Sequence, residues 1–368
     1  MIVSHFHTIS REIDNVLIIQ LGDIGDLVWT TPTFRAVKEA YPHANISVLL
    51  REGLGCLIKS DPAIYKIFEV RSNQGSPLHG AIRQLQLIKE LRRENFDLVF
   101  DLRGDDRGAF MARLTGAPIR ASLFYGDVPF WRNRLFTHLL IEPTPPKERI
   151  LGAAEQSLRI IRGFGIDTKT TVPGLRVSDQ VMKKVYRILT DSGIKPEKSD
   201  SSYRFVTINP SSRWPYKEWS YDKWVSVIDW LWDEFHVAVV IVGSSEETAR
   251  AADLVKKCSG AAYSLAGKTT LAELAGVLRL SRFHIGVDSA APHIAAAVGT
   301  PTISIYGPSD WRDWAPVGEQ HRVIASDMDC VPCHKKGCSG SGQSMCLENL
   351  EVSMVQKVIR EEFEKILR

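Results

Sequence analysis

Short apolar runs alternate along the chain with segments of helical periodicity. In the first half, runs rich in branched aliphatic residues predict strands at residues 15–22, 46–50, 64–70 and 96–102. A helix is predicted over 26–42, with its apolar face formed by Val28, Phe34, Val37 and Ala40. A second helix is predicted over 80–95, with an apolar stripe of Ile82, Leu85, Ile88 and Leu91. Such alternation is typical of a parallel sheet covered by helices on both faces.

The second half repeats this alternation. Strands are predicted at residues 203–210, 237–243, 283–288 and 301–307. Helices are predicted at 221–235, 245–260, 271–281, 294–300 and 353–368. Because the Gly- and Thr-rich segment 163–175 separates the halves, we predict two doubly wound α/β domains, residues 1–170 and 171–368, with the last helix packing on either one. Two such domains would face each other across a cleft, and their ligands would bind beyond the carboxyl ends of the strands.

Composition narrows the functional class. The 368 residues are 44% hydrophobic and 24% charged, which is ordinary for a globular protein and long enough for two domains. The net charge of +3 is too near balance to indicate a nucleic-acid partner. No apolar run approaches the roughly 20 residues that span a bilayer, and the first residues do not resemble a signal peptide. We therefore expect a cytoplasmic protein that does not bind nucleic acid.

Two carboxylates follow the first predicted strand, in the sequence QLGDIGDL. Gly22 and Gly25 let the backbone turn tightly and approach a ligand. A carboxylate from Asp23 or Asp26 at the start of the following helix would be held ionised by the helix dipole, and it would then be able to act as a general base. From the spacing alone, Asp26 is equally well explained as a helix cap.

The loop after strand 203–210 carries groups suited to a phosphate. Ser211 and Ser212 supply hydroxyls, and Arg213 and Lys217 supply cations. The alternative for this stretch is a solvated basic loop that precedes a helix.

The segment after strand 283–288 predicts the start of a short helix. Asp288 or Ser289 is suited to cap it, and Gly299 fits its end. The N-terminus of such a helix is an anion-binding site, and His293 would lie in its first turn. A lone histidine is more often structural, but this position at the junction of a strand and a helix favours a functional role.

Two common nucleotide motifs are excluded. No Gly-x-Gly-x-x-Gly follows a predicted strand, which disfavours a dinucleotide-dependent dehydrogenase. The segment AGKTT resembles the end of a P-loop, but Ala262 stands where its first glycine belongs. Thr270 and Glu273 instead have the spacing of a helix capping box.

Four segments together resemble the heptosyltransferases of lipopolysaccharide core synthesis, glycosyltransferase family nine. They are LIIQLGDIGDLVWTTPTFRAVKEAYP, DLVFDLRG, INPSSRWPYKEWS and GVDSAAPHIAAAVGTPTISIYGPSD, in the order of the family and over about residues 15–350. The resemblance implies the GT-B fold, in which two Rossmann-like domains hold the active site between them. It also implies transfer of a heptose from ADP-heptose to a hydroxyl of a lipid A–Kdo/heptose acceptor, with inversion of the anomeric centre.

The resemblance assigns roles to individual residues. Asp26 matches the catalytic base of the family. On the donor side, Ser211 and Ser212 match hydroxyls that contact the phosphates. Lys217, across one inserted residue, matches a lysine that neutralises the diphosphate, and Glu246 matches the acid that holds the ribose. The donor-binding turn is matched by Asp288, Ser289, Ala290 and His293, where Ser289-Ala290 replaces a frequent Thr-Gly.

The acceptors of the family are anionic glycolipids, which implies a cationic acceptor site and peripheral contact with the inner membrane. Arginine suits such anions through paired hydrogen bonds. We expect Arg103, Arg107 and Arg120 of the first domain to bind the acceptor, with a solvated basic surface as the alternative. We expect no catalytic metal or other catalytic cofactor, because the Asp-x-Asp at 327–329 lies outside the strand-end loops.

Four cysteines crowd into one segment near the C-terminus: Cys330, Cys333, Cys338 and Cys346. They are enough for a tetrahedral site, so a structural zinc ion or an iron–sulfur cluster is one interpretation. Free or oxidised thiols are the other, because the spacing is not that of a familiar zinc ribbon.

Two other functions stay open from the sequence. One is a transferase of the same fold that uses another nucleotide-sugar, and the other is a nucleotide-sugar-binding protein without turnover. The presence of Asp26 together with Lys217 and His293 favours catalysis, because a protein that only binds has no need of a base.

Overall fold

Buried parallel strands form the centre of each of the two units of the protein. The computed structural model describes residues 1–71, 77–142, 152–196 and 203–366. The units are Met1–Arg176 and Val177–Arg368. The division lies at the end of the Gly- and Thr-rich segment, a few residues beyond the boundary expected from the sequence. Both units are α/β, which confirms the predicted fold class.

In the first unit, seven parallel strands are found among the described residues. They are β1 (Ile2–Ser4), β2 (Asn15–Gln20), β3 (Asn45–Arg51), β4 (Lys66–Val70), β5 (Leu98–Asp101), β6 (Ile119–Leu123) and β7 (His138–Leu140). Their order in the sheet is β1-β7-β6-β5-β2-β3-β4. The helices are α1 (Ile24–Ala40), α2 (Pro77–Arg93), α3 (Asp106–Thr115), α4 (Phe130–Asn133) and α5 (Gly152–Arg162). The helix α1 packs against α5, and α2 packs against α3.

The structure corrects two apolar faces predicted for this unit. Ala40 is exposed at the end of α1, where the helix leaves the sheet. Ile82 and Leu85 of α2 are also exposed, whereas Leu87 and Leu91 pack against the core. Apolar residues occur on both sides of α2, so its periodicity alone does not select the face that meets the sheet.

In the second unit, the sheet contains six parallel strands within the described part of the chain. They are β8 (Phe205–Asn209), β9 (Ala238–Ile241), β10 (Ala262–Ser264), β11 (His284–Val287), β12 (Thr302–Tyr306) and β13 (His321–Ala325). Their order is β10-β9-β8-β11-β12-β13. The helices are α6 (Asp179–Asp191), α7 (Tyr221–Phe235), α8 (Thr248–Lys257), α9 (Leu271–Leu280), α10 (Ala290–Ala297), α11 (Trp311–Trp314), α12 (Met345–Glu348) and α13 (Val352–Ile366).

The structure answers two questions about helices of this unit: where the last helix packs, and how α9 begins. The last helix, α13, packs on the second unit: Phe363 stacks on Phe235 with ring centroids 4.1 Å apart, and it also meets Phe283. The predicted final residues 367–368 of this helix lie outside the described residues. Thr270 and Glu273 form the predicted capping box at the start of α9.

Each sheet has one point at which the chain order reverses direction. In the first unit this point lies between β2 and β5, and in the second unit it lies between β8 and β11. In open parallel sheets, ligands bind beyond the carboxyl ends of the strands at such a topological switch point. The loops that follow these four strands are therefore the places to look for chemistry.

Candidate active site

The loop after β2 holds Asp26 tightly at the start of α1. Asp23 is the N-cap of the helix, and the two aspartates form a capping box in which Asp26 Oδ2 accepts the Asp23 N–H at 2.8 Å. A Cβ placed at Gly22 would overlap the Asp26 carboxylate, so glycine leaves room for this rotamer of Asp26 and a larger residue does not. Asp26 is thus a helix cap as well as a candidate base, and the two interpretations of the sequence do not exclude each other.

The electrostatic environment of Asp26 is suited to proton transfer. The side chain is one quarter exposed, and Oδ2 lies 2.6 Å from Arg103 Nη1. Burial raises the pKa of Asp26 above its ordinary value, while the Asp23 N–H and the Arg103 charge act to lower it. A carboxylate with a raised pKa accepts protons more readily, which is what a general base requires.

Arg103 is positioned by a buried carboxyl group at the end of β5. Asp101 is fully buried, and its Oδ1 accepts the Arg103 N–H at 3.2 Å. Its Oδ2 has no hydrogen-bond partner among the residues that the structure describes. A Cβ at Gly108 of α3 would lie 2.6 Å from the carboxylate, so the first turn of α3 closes directly over it. Burial, followed by the nearby Asp105, raises the pKa of Asp101 to about 7.

Replacing this carboxyl by an amide is expected to change how stability depends on pH. The pKa of Asp101 is about 7 in the folded chain, against about 4 for an unfolded aspartate, so wild-type stability falls as pH rises through this window. Asp101→Asn does not titrate. Its free energy of unfolding, relative to wild type, should therefore rise by about 2 kcal/mol between about pH 5 and about pH 8. Urea titrations of both proteins at the two pH values measure this, and an unchanged difference would contradict the assignment.

A second arginine faces the same loop from the other side. Arg51 is the last residue of β3, and its Nη1 forms an ion pair with Asp23 Oδ1. Arg51 is not among the residues predicted from the sequence, and neither is Asp101. Both are polar residues at the carboxyl end of a strand, which was the available signal, but their nearness to Asp26 depends on the strand order.

The other two arginines predicted for the acceptor differ in position. Arg107 is exposed in the first turn of α3, and its role toward the acceptor stays a prediction. Arg120 lies near the amino end of β6, where its guanidinium donates to the carbonyls of Leu135, at 2.9 Å, and Ala117. Those bonds turn Arg120 toward the amino edge of the sheet, away from the loop of Asp26. Of the three, Arg103 is the one whose ion pair with the candidate base is observed.

In the second unit, the loops after β8 and β11 meet at the switch point. Lys217 ends a short 3-10 turn, and its Nζ lies 2.6 Å from Asp288 Oδ2. Ser212 Oγ donates to the Asp288 carbonyl at 3.2 Å. Three of the residues predicted for the donor thus form one hydrogen-bonded cluster, with a cation and a hydroxyl side by side.

An asparagine links this cluster to the start of α10. Ser289 is the N-cap of α10, but its hydroxyl donates to Asn209 Oδ1 at 2.7 Å instead of capping the helix. Asn209, the last residue of β8, donates in turn to the Val242 carbonyl at 3.0 Å. Asn209 was not predicted, although its position as a polar strand end is the same signal that selects Asp288.

His293 is buried in the first turn of α10 and is neutral near physiological pH. Burial lowers its pKa to about 4, with Asp288 acting to raise the pKa and Lys217 to lower it. A neutral ring of this kind takes part in hydrogen bonds as one donor and one acceptor. The end of α10 is as predicted, with Gly299 at a positive φ of 86° after the last turn.

The remaining predicted donor residues occupy different positions. Ser211 is buried, and its hydroxyl bonds to that of Tyr221 at 3.0 Å. Glu246 is exposed in the 3-10 turn after β9, and its neighbour Glu247 closes the capping box of that turn. Ala290 is the first residue of α10. Of the serine pair, Ser212 is therefore the one that joins the Lys217–Asp288 cluster.

The cysteine segment lies beside these loops rather than apart from them. The Ser344 hydroxyl donates to the Tyr216 carbonyl at 2.6 Å, and the His334 N–H donates to the Pro308 carbonyl at 2.7 Å. The four thiols, Cys330, Cys333, Cys338 and Cys346, are free. Within the described ranges, no group of three or more His, Cys, Asp or Glu side chains is arranged to hold a metal ion, so the zinc or iron–sulfur interpretation has no structural support.

No helix in the described part of the chain combines the length and the apolar character needed to cross a bilayer.

The family model described as glycosyltransferase family 9 (heptosyltransferase) matches residues 84–343. Lipopolysaccharide heptosyltransferase 3 of Escherichia coli (strain K12) is 33% identical over 299 residues, which cover 79% of this chain and 82% of that protein.

Solved structures agree with the fold. The crystal structure of the glycosyl transferase family 9 from Veillonella parvula DSM 2008 matches with a TM-score of 0.80 and 20% identity, covering 96% of this chain and 99% of the other. The E. coli heptosyltransferase WaaC with ADP-2-deoxy-2-fluoro heptose matches with a TM-score of 0.69 and 18% identity, covering 94% and 99%. At these identities the likeness concerns the fold.

Proposed function

The chain belongs to glycosyltransferase family 9, the heptosyltransferase family, and from this premise we propose that it transfers a heptose from ADP-heptose to a core hydroxyl with inversion of the anomeric centre. As a member of the family it is a glycosyltransferase, a heptosyltransferase of lipopolysaccharide core synthesis. One observation carries the finer proposal. The switch point of the first unit holds a carboxylate with a raised pKa, and that of the second holds a cation beside a hydroxyl.

The proposed reaction is a single displacement. Asp26 takes the proton of the acceptor hydroxyl as its oxygen bonds to the anomeric carbon of the heptose. The bond from that carbon to the phosphate oxygen breaks, and its electron pair leaves with ADP. One displacement inverts the centre, so the reaction needs one base and no covalent intermediate. We assign the base to the first unit and the binding of the leaving diphosphate to the second.

Fixed groups of the second unit would stabilise the charge that develops on ADP. Lys217 brings a full positive charge, and Ser212 brings a hydroxyl donor to the same cluster. The amino end of α10, at Ser289, adds its dipole and backbone N–H groups. Hydrogen-bond donors already in place when charge develops are the largest single contribution to the rate enhancement of many enzymes. We propose that these donors replace a catalytic metal here. Glu246 is proposed to bind the ribose.

We also propose that the acceptor is an anionic, lipid-linked glycan and that the protein works at the cytoplasmic face of the inner membrane. Support comes from exposed aromatic and basic residues on the first unit. Phe130 is 71% exposed with Arg134 over its ring at 5.1 Å, and Phe110 stacks on Trp131 at 5.2 Å. Aromatic and basic side chains of this kind suit the interface of an anionic bilayer.

A nucleotide comparison tests the donor assignment. We expect ADP to raise the melting temperature more than UDP, GDP or AMP, since only ADP combines the adenosine and the diphosphate. At about 100 times its dissociation constant, a ligand adds roughly 2.7 kcal/mol to the stability. Transfer from ADP-heptose, compared with UDP-glucose, tests turnover. Equal shifts for all diphosphates would point to another nucleotide-sugar, and ADP binding without transfer would point to a binding protein.

A further inference from the structure

An ion pair connects the proposed diphosphate loop to the helix that follows β9. Glu218, next to Lys217 in the chain, and Arg250 of α8 form two parallel hydrogen bonds, Nη1 to Oε1 at 3.1 Å and Nη2 to Oε2 at 2.5 Å. We propose that Arg250 is a positioning residue for the donor, which acts by neutralising and fixing the Glu218 carboxylate beside the phosphate-binding loop. This inference rests on the proposed function and deepens it.

Glu218 holds the backbone of the loop that carries Ser212. Its Oε1 accepts the Ser212 N–H at 3.0 Å, while the Ser212 hydroxyl donates to the Asp288 carbonyl. A single residue, Ser212, therefore separates the Glu218 carboxylate from the cluster of Lys217 and Asp288. The Glu218 side chain is only 11% exposed, so salt and solvent screen its charge poorly.

An aromatic contact favours the conformation in which Arg250 reaches Glu218. The guanidinium carbon lies 4.6 Å from the ring centroid of Tyr221, whose hydroxyl bonds to that of Ser211 at 3.0 Å. A cation over the face of an aromatic ring is attracted to the ring. Both serines of the loop after β8 are therefore linked to Arg250, Ser212 through Glu218 and Ser211 through Tyr221.

Without Arg250, the Glu218 carboxylate would lose its cation beside the proposed diphosphate. Two nearly buried carboxylates lie at this loop, each with a cationic partner: Asp288 with Lys217, and Glu218 with Arg250. Glu247, in the turn before α8, also interacts with Arg250 and adds negative charge on the same side. Removing one partner of a nearly buried pair leaves an uncompensated charge, which repels an anion. Loss of Arg250 should therefore weaken binding more, the more negative charge the ligand carries.

The charge of the ligand distinguishes this role from general support of the fold. Dissociation constants of adenosine, AMP and ADP are measured by NMR titration, which also detects weak binding. We expect Arg250→Gln to bind ADP about tenfold more weakly than wild type, and adenosine within about twofold of wild type, with AMP between them. KM for ADP-heptose should rise with little change in kcat, because Arg250 is not proposed to touch the reacting atoms. Unchanged ADP affinity, or equal weakening with all three ligands, would overturn the proposal.

Two further variants separate charge from packing. Arg250→Lys keeps the positive charge but loses the two parallel hydrogen bonds, and its ADP affinity should stay within about threefold of wild type. Arg250→Gln with Glu218→Gln removes both charges, and the amide oxygen of the new side chain at 218 can still accept the Ser212 N–H. This double variant should recover ADP affinity to within about threefold of wild type. If it binds ADP as weakly as Arg250→Gln does, packing and not charge is responsible, and the proposal is wrong.

Arg360 supplies a matched control. Like Arg250 it is 48% exposed, and it pairs with Glu234 at 2.6 Å and lies 5.5 Å from the ring centroid of Trp230. Arg360→Gln therefore removes the same kind of ion pair and aromatic contact between α13 and the last turn of α7, at the opposite end of α7 from the donor loop. It should bind all three ligands as wild type does. ADP binding as weak as in Arg250→Gln would assign the effect to the net charge of the protein and would contradict a role through Glu218.

Wild type and variants test different statements. If wild type binds ADP but transfers no heptose from ADP-heptose to core oligosaccharide, the proposed function fails, and the comparison of Arg250→Gln with the double variant still decides the role of Arg250. If wild type transfers heptose and Arg250→Gln binds ADP as wild type does, the inference fails and the proposed function stands. Absence of ADP binding to wild type would overturn both.

Discussion

Asp26→Asn is expected to lower kcat for heptose transfer by about 10³-fold while leaving ADP affinity unchanged. The amide cannot accept a proton from the acceptor hydroxyl. It can still accept the Asp23 N–H through its carbonyl oxygen, so the first turn of α1 should remain intact. The measurement is transfer from ADP-heptose at saturating acceptor, together with ADP binding by thermal shift.

The control for this variant is Asp127→Asn, which changes an exposed carboxylate of the same unit. It should transfer at the wild-type rate. In wild type, the rate should fall as pH drops through the raised pKa of Asp26, because the protonated carboxyl is no longer a base. Transfer by Asp26→Asn within tenfold of wild type would exclude Asp26 as the base, whatever its environment.

Lys217→Gln is expected to lower kcat by about 10²-fold and to weaken ADP binding, because it removes the charge proposed to stabilise the leaving diphosphate. The control is Lys365→Gln, in which the lost lysine pairs with Glu362 at 2.7 Å near the end of α13. Kinetics at saturating donor and calorimetry with ADP measure the two effects. Unchanged kcat in Lys217→Gln would refute its role toward the leaving group.

A second variant separates charge loss from a local disturbance. Asp288 is 11% exposed and pairs with Lys217, so the single change leaves a nearly buried carboxylate without its partner. Lys217→Gln with Asp288→Asn removes both charges. If the lysine acts on the diphosphate, the double variant should stay as slow as the single one. Recovery to near the wild-type rate would show that the unpaired carboxylate, and not the missing cation, caused the loss.

The alternating strands and helices were sufficient to predict two α/β domains and the strand-end loops that form the candidate site. Lys217, Ser212 and Asp288 come together because each follows a strand at the switch point of the second sheet. Strand ends are local features, so the sequence reveals them directly. The resemblance to a family then assigned roles that the spacing alone left open.

Strand order and helix rotation were the parts that the sequence could not supply. Arg51 and Asp101 became relevant only once β3 and β5 were seen to flank β2. Arg120 looked equivalent to Arg103 as a cation, but its bonds to carbonyls at the amino edge separate the two. Short edge strands such as β10, with three residues, carry too little apolar pattern to be predicted.

The lack of a side chain at Gly22 couples two positions of the chain. Any larger residue there would occupy the space of the Asp26 carboxylate, so Gly22 cannot change while Asp26 keeps its place. A relative with alanine or serine at this position has no room for the acid in its present rotamer. Glycine followed four residues later by aspartate is thus a sequence marker for relatives that can hold a carboxylate in this position.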